Sequence, residues 1–244
     1  MEPEFKFRGY LLGNLYPQTH GAARKLLRSV FSRKFLQTAR FEKQFIALAL
    51  KRAFGKSVFD TKGKDYLNIA PGPESHDNYF NIDAFNYSGL DAVFDCRTRL
   101  PFRDGVFRGI FAEHFIEHLD YVDEFGKFLA ECHRVMETGG TLRLATPDAE
   151  KYFQCYVSAS LEKMLDVRNA PAGYYNTRVE IINELFHQGV EHKFIFDGET
   201  LALRCRAAGF SRVEICEFRQ GRNPALLIDR EVRRGESLYV EAAK

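Results

Sequence analysis

The chain has 244 residues, 45% hydrophobic and 28% charged, the balance of a globular protein long enough to bury a sizeable core. A formal net charge of +2 is too mild to imply a nucleic-acid partner. No apolar stretch approaches the ~18 residues of a membrane span, so no transmembrane segment is expected. The five cysteines, Cys96, Cys132, Cys155, Cys205 and Cys216, contain no CxxC pair, which excludes a disulfide framework or a zinc cluster of cysteines. Reduced thiols in the cytoplasm are the expectation, and the opening MEPEFKFRGY lacks the apolar core of a secretory signal.

The positive charge is uneven. From Arg24 to Lys56 there are ten Lys/Arg and one acid, Glu42. Residues 21–54 read as one or two basic amphipathic helices. Leu26, Leu27, Val30 and Phe31, then Phe41, Phe45, Ile46, Leu48 and Ala49, recur at helical spacing, and Gly55 stops the run. The apolar face is expected to pack on the body of the domain. The basic face leaves peripheral membrane or partner contact as a second use.

From residue 65 short apolar strands alternate with polar or helical stretches. The predicted strands are Tyr66–Ala70, Tyr79–Asp83, Ala92–Asp95, Gly109–Ala112, Thr141–Ala145, Arg212–Phe218 and Ser237–Ala242, with helices near 120–137 and 198–208. This alternation implies an α/β, Rossmann-like, mainly parallel seven-stranded sheet whose last strand is antiparallel. Residues 1–60 form an N-terminal helical extension and residues 61–244 the main domain. Within it, residues 149–196, rich in Tyr, Phe and His, interrupt the pattern as a lid-like insertion over the C-terminal edge of the sheet, where open α/β folds bind ligands.

Chemistry concentrates at predicted strand ends. Leu67-Asn68-Ile69-Ala70-Pro71-Gly72-Pro73 ends one strand in a small-residue turn that lets a ligand approach the backbone. The next ends in Asn81-Ile82-Asp83, an acid placed to accept from ribose hydroxyls. Then come Asp95-Cys96, Leu100-Pro101-Phe102, Glu113-His114-Phe115-Ile116-Glu117-His118-Leu119, Glu131-Cys132-His133-Arg134-Val135-Met136, Gly139-Gly140 and Pro147-Asp148. The order and spacing of these elements over residues 65–148 resemble the class I S-adenosylmethionine methyltransferases of the UbiE/type-11 group. The chain departs from that pattern at Ala70 and Pro71, where the first loop glycine stands, and at Asn68, where an acid is common. Gly72 and Asp83 are also closer together than the ~20 residues of a standard crossover, so the first crossover helix is expected to be truncated, with the basic N-terminal helices covering its face.

The resemblance implies S-adenosyl-L-methionine as cofactor. It places Asp83 on the ribose, Asp95 and the Cys96 backbone on the adenine, Ala70 and Gly72 along the methionine portion, and the backbone near Glu113 at the amino group. A hydroxyl acceptor would need a base, and His114, His187 and His192 are the candidates, with His187 favoured because it comes from the insertion that faces the acceptor. His118, at a helix start, reads as packing or capping. His187 and His192 are five apart, wrong for the i, i+4 pair of a zinc helix, so no metal is expected. The acceptor is expected to be a small molecule or saccharide, methylated on oxygen or nitrogen. Nucleic acid is not expected, because Ala112-Glu113-His114-Phe115 stands where base methylases carry a DPPY-like motif. The alternative is an inactive binding or scaffold protein that keeps the fold.

Overall fold

The computed structural model describes residues 29–54, 58–170, 173–188 and 191–244. Leu26, Leu27 and the stop at Gly55 lie outside the described residues. The elements run α1 (Arg33–Phe54), β1 (Tyr66–Ile69), β2 (Tyr79–Asp83), β3 (Ala92–Val93), β4 (Phe107–Glu113), a 3-10 turn (Ile116–His118), α2 (Phe125–Val135), β5 (Met136–Pro147), α3 (Ala149–Ser158), α4 (Leu161–Arg168), α5 (Arg178–His187), α6 (Gly198–Ala207), β6 (Arg212–Cys216) and β7 (Ser237–Ala243). The seven strands lie in the order β3-β2-β1-β4-β5-β7-β6. Pairings from β3 through β5 are parallel, and β7 is antiparallel to both β5 and β6. The predicted sheet is therefore present, with β5 longer than expected and β3 shorter.

Strand alternation divides the side chains between two faces. Leu67 and Ile69, Phe80 and Ile82, Ile110 and Ala112, Leu142 and Leu144, and Val240 and Ala242 face the main core. There α2 delivers Phe125, Phe128, Leu129, Cys132 and Val135 at helical spacing, and α6 delivers Leu201 and Cys205. No helix occupies the connections β1–β2, β2–β3 or β3–β4. Phenylalanines fill that volume instead. Phe59 packs on Phe80, Phe94 and Phe102, and Phe102 meets Phe80 and Phe107 edge-on at centroid distances of 5.1 and 4.8 Å.

The second face carries Tyr66, Tyr79 and Phe111, and it is closed by Leu226 and Ile228 of the β6–β7 connection. Among the described residues it is this connection, and not the basic helix α1, that covers the face of the truncated crossover; residues 21–28 of the expected basic helices lie outside the described residues. A buried ion network pins the connection in place. Arg143 on β5 is fully buried and binds Asp229 through two bonds of 2.8 and 2.6 Å, Glu241 at 3.1 Å, and the carbonyls of Gln220 and Glu217. A buried guanidinium tolerates such a place only when its donors are all engaged. Helix α1 stands at the C-terminal ends of β2 and β3. Phe41 and Phe45 pack on Phe85, and Gln44 donates to the Ala84 carbonyl at 2.6 Å. Helices α3, α4 and α5 form a separate small core around Tyr152, Met164, Ile181 and Leu185.

Candidate functional site

Parallel strands of β3-β2-β1-β4 all end on one rim, so the side chains at their C-terminal ends converge. A cavity of about 350 Å³ lies there, within the range of small-ligand and cofactor sites. Ala70 and Gly72 after β1, Asp83, Ala84, Phe85 and Tyr87 after β2, Asp95, Cys96 and Arg97 after β3, and His114, Phe115 and His118 after β4 line it. Helix α1 adds Thr38, Phe41, Glu42 and Phe45, and the loop after α5 adds Glu191 and Lys193.

The turn after β1 is shaped by its backbone. Ala70 has φ +55° and Gly72 φ +60°. A Cβ on Gly72 would meet nothing within 4 Å, so the glycine is there for its left-handed conformation and not for space. Ala70 adopts the same region with a methyl group, at a steric cost that glycine would avoid. The turn is tied to β2 through Asp83: Gly72 N–H donates to Oδ2 at 3.0 Å and Phe85 N–H donates to Oδ1 at 2.8 Å. Burial pushes the Asp83 carboxyl above its usual range, against the lowering effect of those backbone donors. The carboxylate lines the cavity. Asn81, buried beside it, organises the rest of the loop by accepting from Asn68 and His76 N–H and donating to the His76 and Tyr79 carbonyls.

The other predicted residues are placed unequally. The Asp95 carboxylate is clasped by Arg97, Nε to Oδ1 at 2.9 Å and Nη2 to Oδ2 at 3.0 Å, and also accepts from Arg97 N–H. The Arg97 guanidinium lies 3.4 Å from the centre of the Phe45 ring. Asp95 thus joins α1 to the cavity wall. Cys96 is buried, and burial holds its thiol well above the ordinary range, so it acts as an inert apolar wall. The Glu113 side chain points to the opposite face of the sheet, where it pairs with Arg230 and accepts from Arg230 N–H at 3.0 Å.

Of the three histidines, His114 alone lines the cavity. It has φ +53°, its Nε2 is 2.8 Å from Ser237 Oγ, and its Nδ1 is 3.3 Å from Glu117 Oε1. Burial first, then Arg233, Arg230 and Arg168, push its pKa well below the usual imidazole value, so the ring is neutral. His192 is buried behind the wall, its ring 5.1 Å from that of His118, and burial and His118 lower its pKa to about 3. His187 is exposed at the end of α5 and does not line the cavity. Gly189 and Val190, next to it, lie outside the described residues.

Sequence reasoning missed the wall that α1 supplies. Its signal was present as Phe41 and Phe45 at i, i+4, read there as packing on the body. The cavity fits S-adenosylmethionine chemically: an acid for two ribose hydroxyls, aromatic surface from Phe85, Tyr87 and Phe45 for a purine, and an open turn with positive φ for the amino-acid portion.

Residues 86–144 match a family model described as a methyltransferase domain. No curated protein sequence matches the chain. Among solved structures, the chain is similar to a SAM-dependent methyltransferase from Archaeoglobus fulgidus, with 18% identity, 87% of this chain and 100% of that one covered, and a TM-score of 0.44. A SAM-dependent methyltransferase from Thermotoga maritima, described as a possible histamine N-methyltransferase, shows 15% identity over 84% and 97% of the chains with a TM-score of 0.42. Phosphoethanolamine N-methyltransferase 2 from Haemonchus contortus, solved with S-adenosyl-L-methionine, shows 12% identity over 83% and 52%, also with a TM-score of 0.42. The family match runs from the loop after β2 into β5, so over those residues the chain is similar to a methyltransferase domain, and the match includes Tyr87, Asp95, Cys96, Arg97 and His114 of the cavity lining.

Proposed function

We propose that the 350 Å³ cavity holds S-adenosylmethionine and that the chain transfers its methyl group to an oxygen or nitrogen of a small molecule or sugar-bearing acceptor. The observation that carries this reading is Asp83, a buried carboxylate at the end of β2 that lines the cavity and is held in place by backbone N–H donors. In this reading Asp83 holds the ribose, Phe85 and the Cys96 backbone flank the adenine, and the Ala70–Gly72 turn follows the methionine portion. The sulfonium supplies the reactive methyl, and the protein supplies position and exclusion of water.

His114 is the histidine best placed to receive a proton from a hydroxyl acceptor, since it alone of the three lines the cavity. Residues 149–196 act as a lid in this proposal. Their support is a core of their own in α3–α5 and the two side chains, Glu191 and Lys193, that they send to the cavity. Residues 1–60 form the extension and residues 61–244 the methyltransferase domain, with α1 completing the cofactor wall. Calorimetry with S-adenosylhomocysteine tests the reading directly: saturable one-to-one binding supports it, and no binding to the full chain sinks it.

A further inference from the structure

Glu117 and His118 lie on the 3-10 turn after β4, and His192 follows α5, yet one ligand atom from each lies within 4.8 Å of the others. The hydrogen bonds around them fix what those atoms are. His192 Nδ1 is 2.6 Å from the Leu185 carbonyl, and His118 Nδ1 is 3.2 Å from the Glu191 carbonyl. A carbonyl only accepts, so each Nδ1 carries the hydrogen and each neutral ring keeps an acceptor lone pair on Nε2. His192 Nε2 is buried with no hydrogen-bond partner.

Glu117 is 1% exposed. Its Oε2 accepts from Thr146 Oγ1 at 3.2 Å, while Oε1 makes no hydrogen bond. His114 Nδ1 approaches Oε1 to 3.3 Å without the geometry of one. Three ligand atoms therefore converge in a buried space, and among the described residues two of them, Glu117 Oε1 and His192 Nε2, have no partner; either a proton held by the Glu117 carboxyl, which burial pushes up to about 8, or a metal ion satisfies them. Nearby arginines do not: Arg168 and Arg233 are drawn to Glu236, and Arg230 to Glu113.

We propose that Glu117, His118 and His192 bind a divalent transition metal of the zinc class. Two imidazoles and one carboxylate are a borderline-soft donor set that suits zinc or iron better than magnesium or calcium. The Nδ1–H to carbonyl bonds are the outer-shell contacts that hold metal-ligating histidines in register. His118 brings the site to the cavity wall, so the ion takes its remaining ligand from the cleft, where an acceptor hydroxyl bound to it would be made more acidic. The spacing of the set, a Glu-His dipeptide and a histidine more than seventy residues on, has no helical signature.

The test uses full-length, tag-free protein stripped with a chelator, titrated with Zn²⁺ by calorimetry and with Co²⁺ by visible absorption. One ion per chain is expected, with cobalt bands of nitrogen and oxygen ligation. Glu117→Gln and His192→Gln should each weaken binding by about 100-fold or more. Circular dichroism and S-adenosylhomocysteine binding report whether each variant is folded. If a variant unfolds, histidine NMR of the wild type decides, because zinc must shift two Nε2 resonances. Absence of saturable binding in the wild type, equal competition by Mg²⁺, or undiminished binding in folded variants overturns the site. These readouts do not depend on the cofactor reading, since zinc binding is scored whether or not S-adenosylhomocysteine binds.

Discussion

Asp83→Asn separates the two duties of the carboxylate. In the free protein it accepts Gly72 N–H at 3.0 Å and Phe85 N–H at 2.8 Å while only 6% exposed, and burial disfavours its charge. A folded-state pKa raised above the unfolded value means the charged form opposes folding: the contribution to stability is full below the unfolded pKa and is lost as pH rises through the folded one. Asparagine removes the charge but turns its amide NH2 towards one of the two backbone N–H donors, and an unsatisfied buried donor costs about 1–3 kcal/mol against the relief of charge burial, so stability at pH 7 should stay level or fall by up to that amount. Cofactor affinity should fall as well. Ribose hydroxyls donate to the charged group in bonds of ~1.5–3 kcal/mol, and losing one weakens binding by roughly 10- to 150-fold. Calorimetry with S-adenosylhomocysteine and thermal unfolding on the same samples read both effects. Unchanged affinity in a folded Asp83→Asn protein would show that the ribose is held elsewhere.

Ala70→Gly should raise stability by up to about 1 kcal/mol, ~2–4 °C in melting temperature for a chain of this size, because relief of the left-handed methyl outweighs the extra entropy of glycine. A fall in melting temperature would mean the Ala70 methyl packs usefully. Phe45→Ala removes the ring under Arg97 and part of the cavity wall, and should weaken S-adenosylhomocysteine binding by about 1–2 kcal/mol without unfolding the sheet. Equal affinity would detach α1 from the site. Glu236→Gln leaves Arg168 and Arg233 without their shared carboxylate, beside Tyr152 Oη at 2.7 Å, and should cost about 3–5 kcal/mol in denaturant unfolding. A cost below 1 kcal/mol would show that the arginines find other partners. In acid, Asp91 matters. Burial pushes its carboxyl up, but Lys64, the Asn81 N–H and Lys62 together hold it lower than usual, so its contribution is present above the unfolded value near ~3.9 and is lost as pH falls through the lower folded value. Asp91→Asn should flatten the loss of stability on acidification below about pH 4, and an unchanged slope would refute that assignment.

Much of the fold was legible because the sheet is built from two-period runs bounded by turn residues. Tyr79–Asp83 forms at the predicted bounds, and α2 and α6 lie where Leu129, Cys132, Leu201 and Cys205 fall at helical spacing. What could not be read was which segment covers which face. The β6–β7 connection closes the second face through Arg143–Asp229, a contact between residues 86 apart that carries no local pattern. The site divides in the same way. Asp83 and the Ala70–Gly72 turn were visible as strand-end residues that line the cavity, whereas strand alternation sends the Glu113 side chain to the other face, and the expectation there concerns its backbone alone. His187 was favoured because it comes from the insertion; it ends α5 with its side chain exposed, and the histidines whose rings meet are His118 and His192.

The absence of helices between β1 and β4 has a consequence for how the cleft is built. In a sheet with full crossovers, helices behind the strands would brace the cavity rim. Here phenylalanines brace one face, the β6–β7 connection braces the other, and the rim itself is closed by α1 from outside the strand–helix alternation. The contacts of α1 with the rim include Gln44 to the Ala84 carbonyl, Phe41 and Phe45 on Phe85, and Arg97 on Phe45. Of its apolar side chains Leu48 is buried, while Phe35, Ile46 and Leu50 are more than half exposed. Side-chain contacts of this kind separate at less cost than the continuous hydrogen-bond ladders between strands. Movement of α1 would thus open the cleft without a change in the sheet, leaving Asp83 and the turn after β1 preorganised.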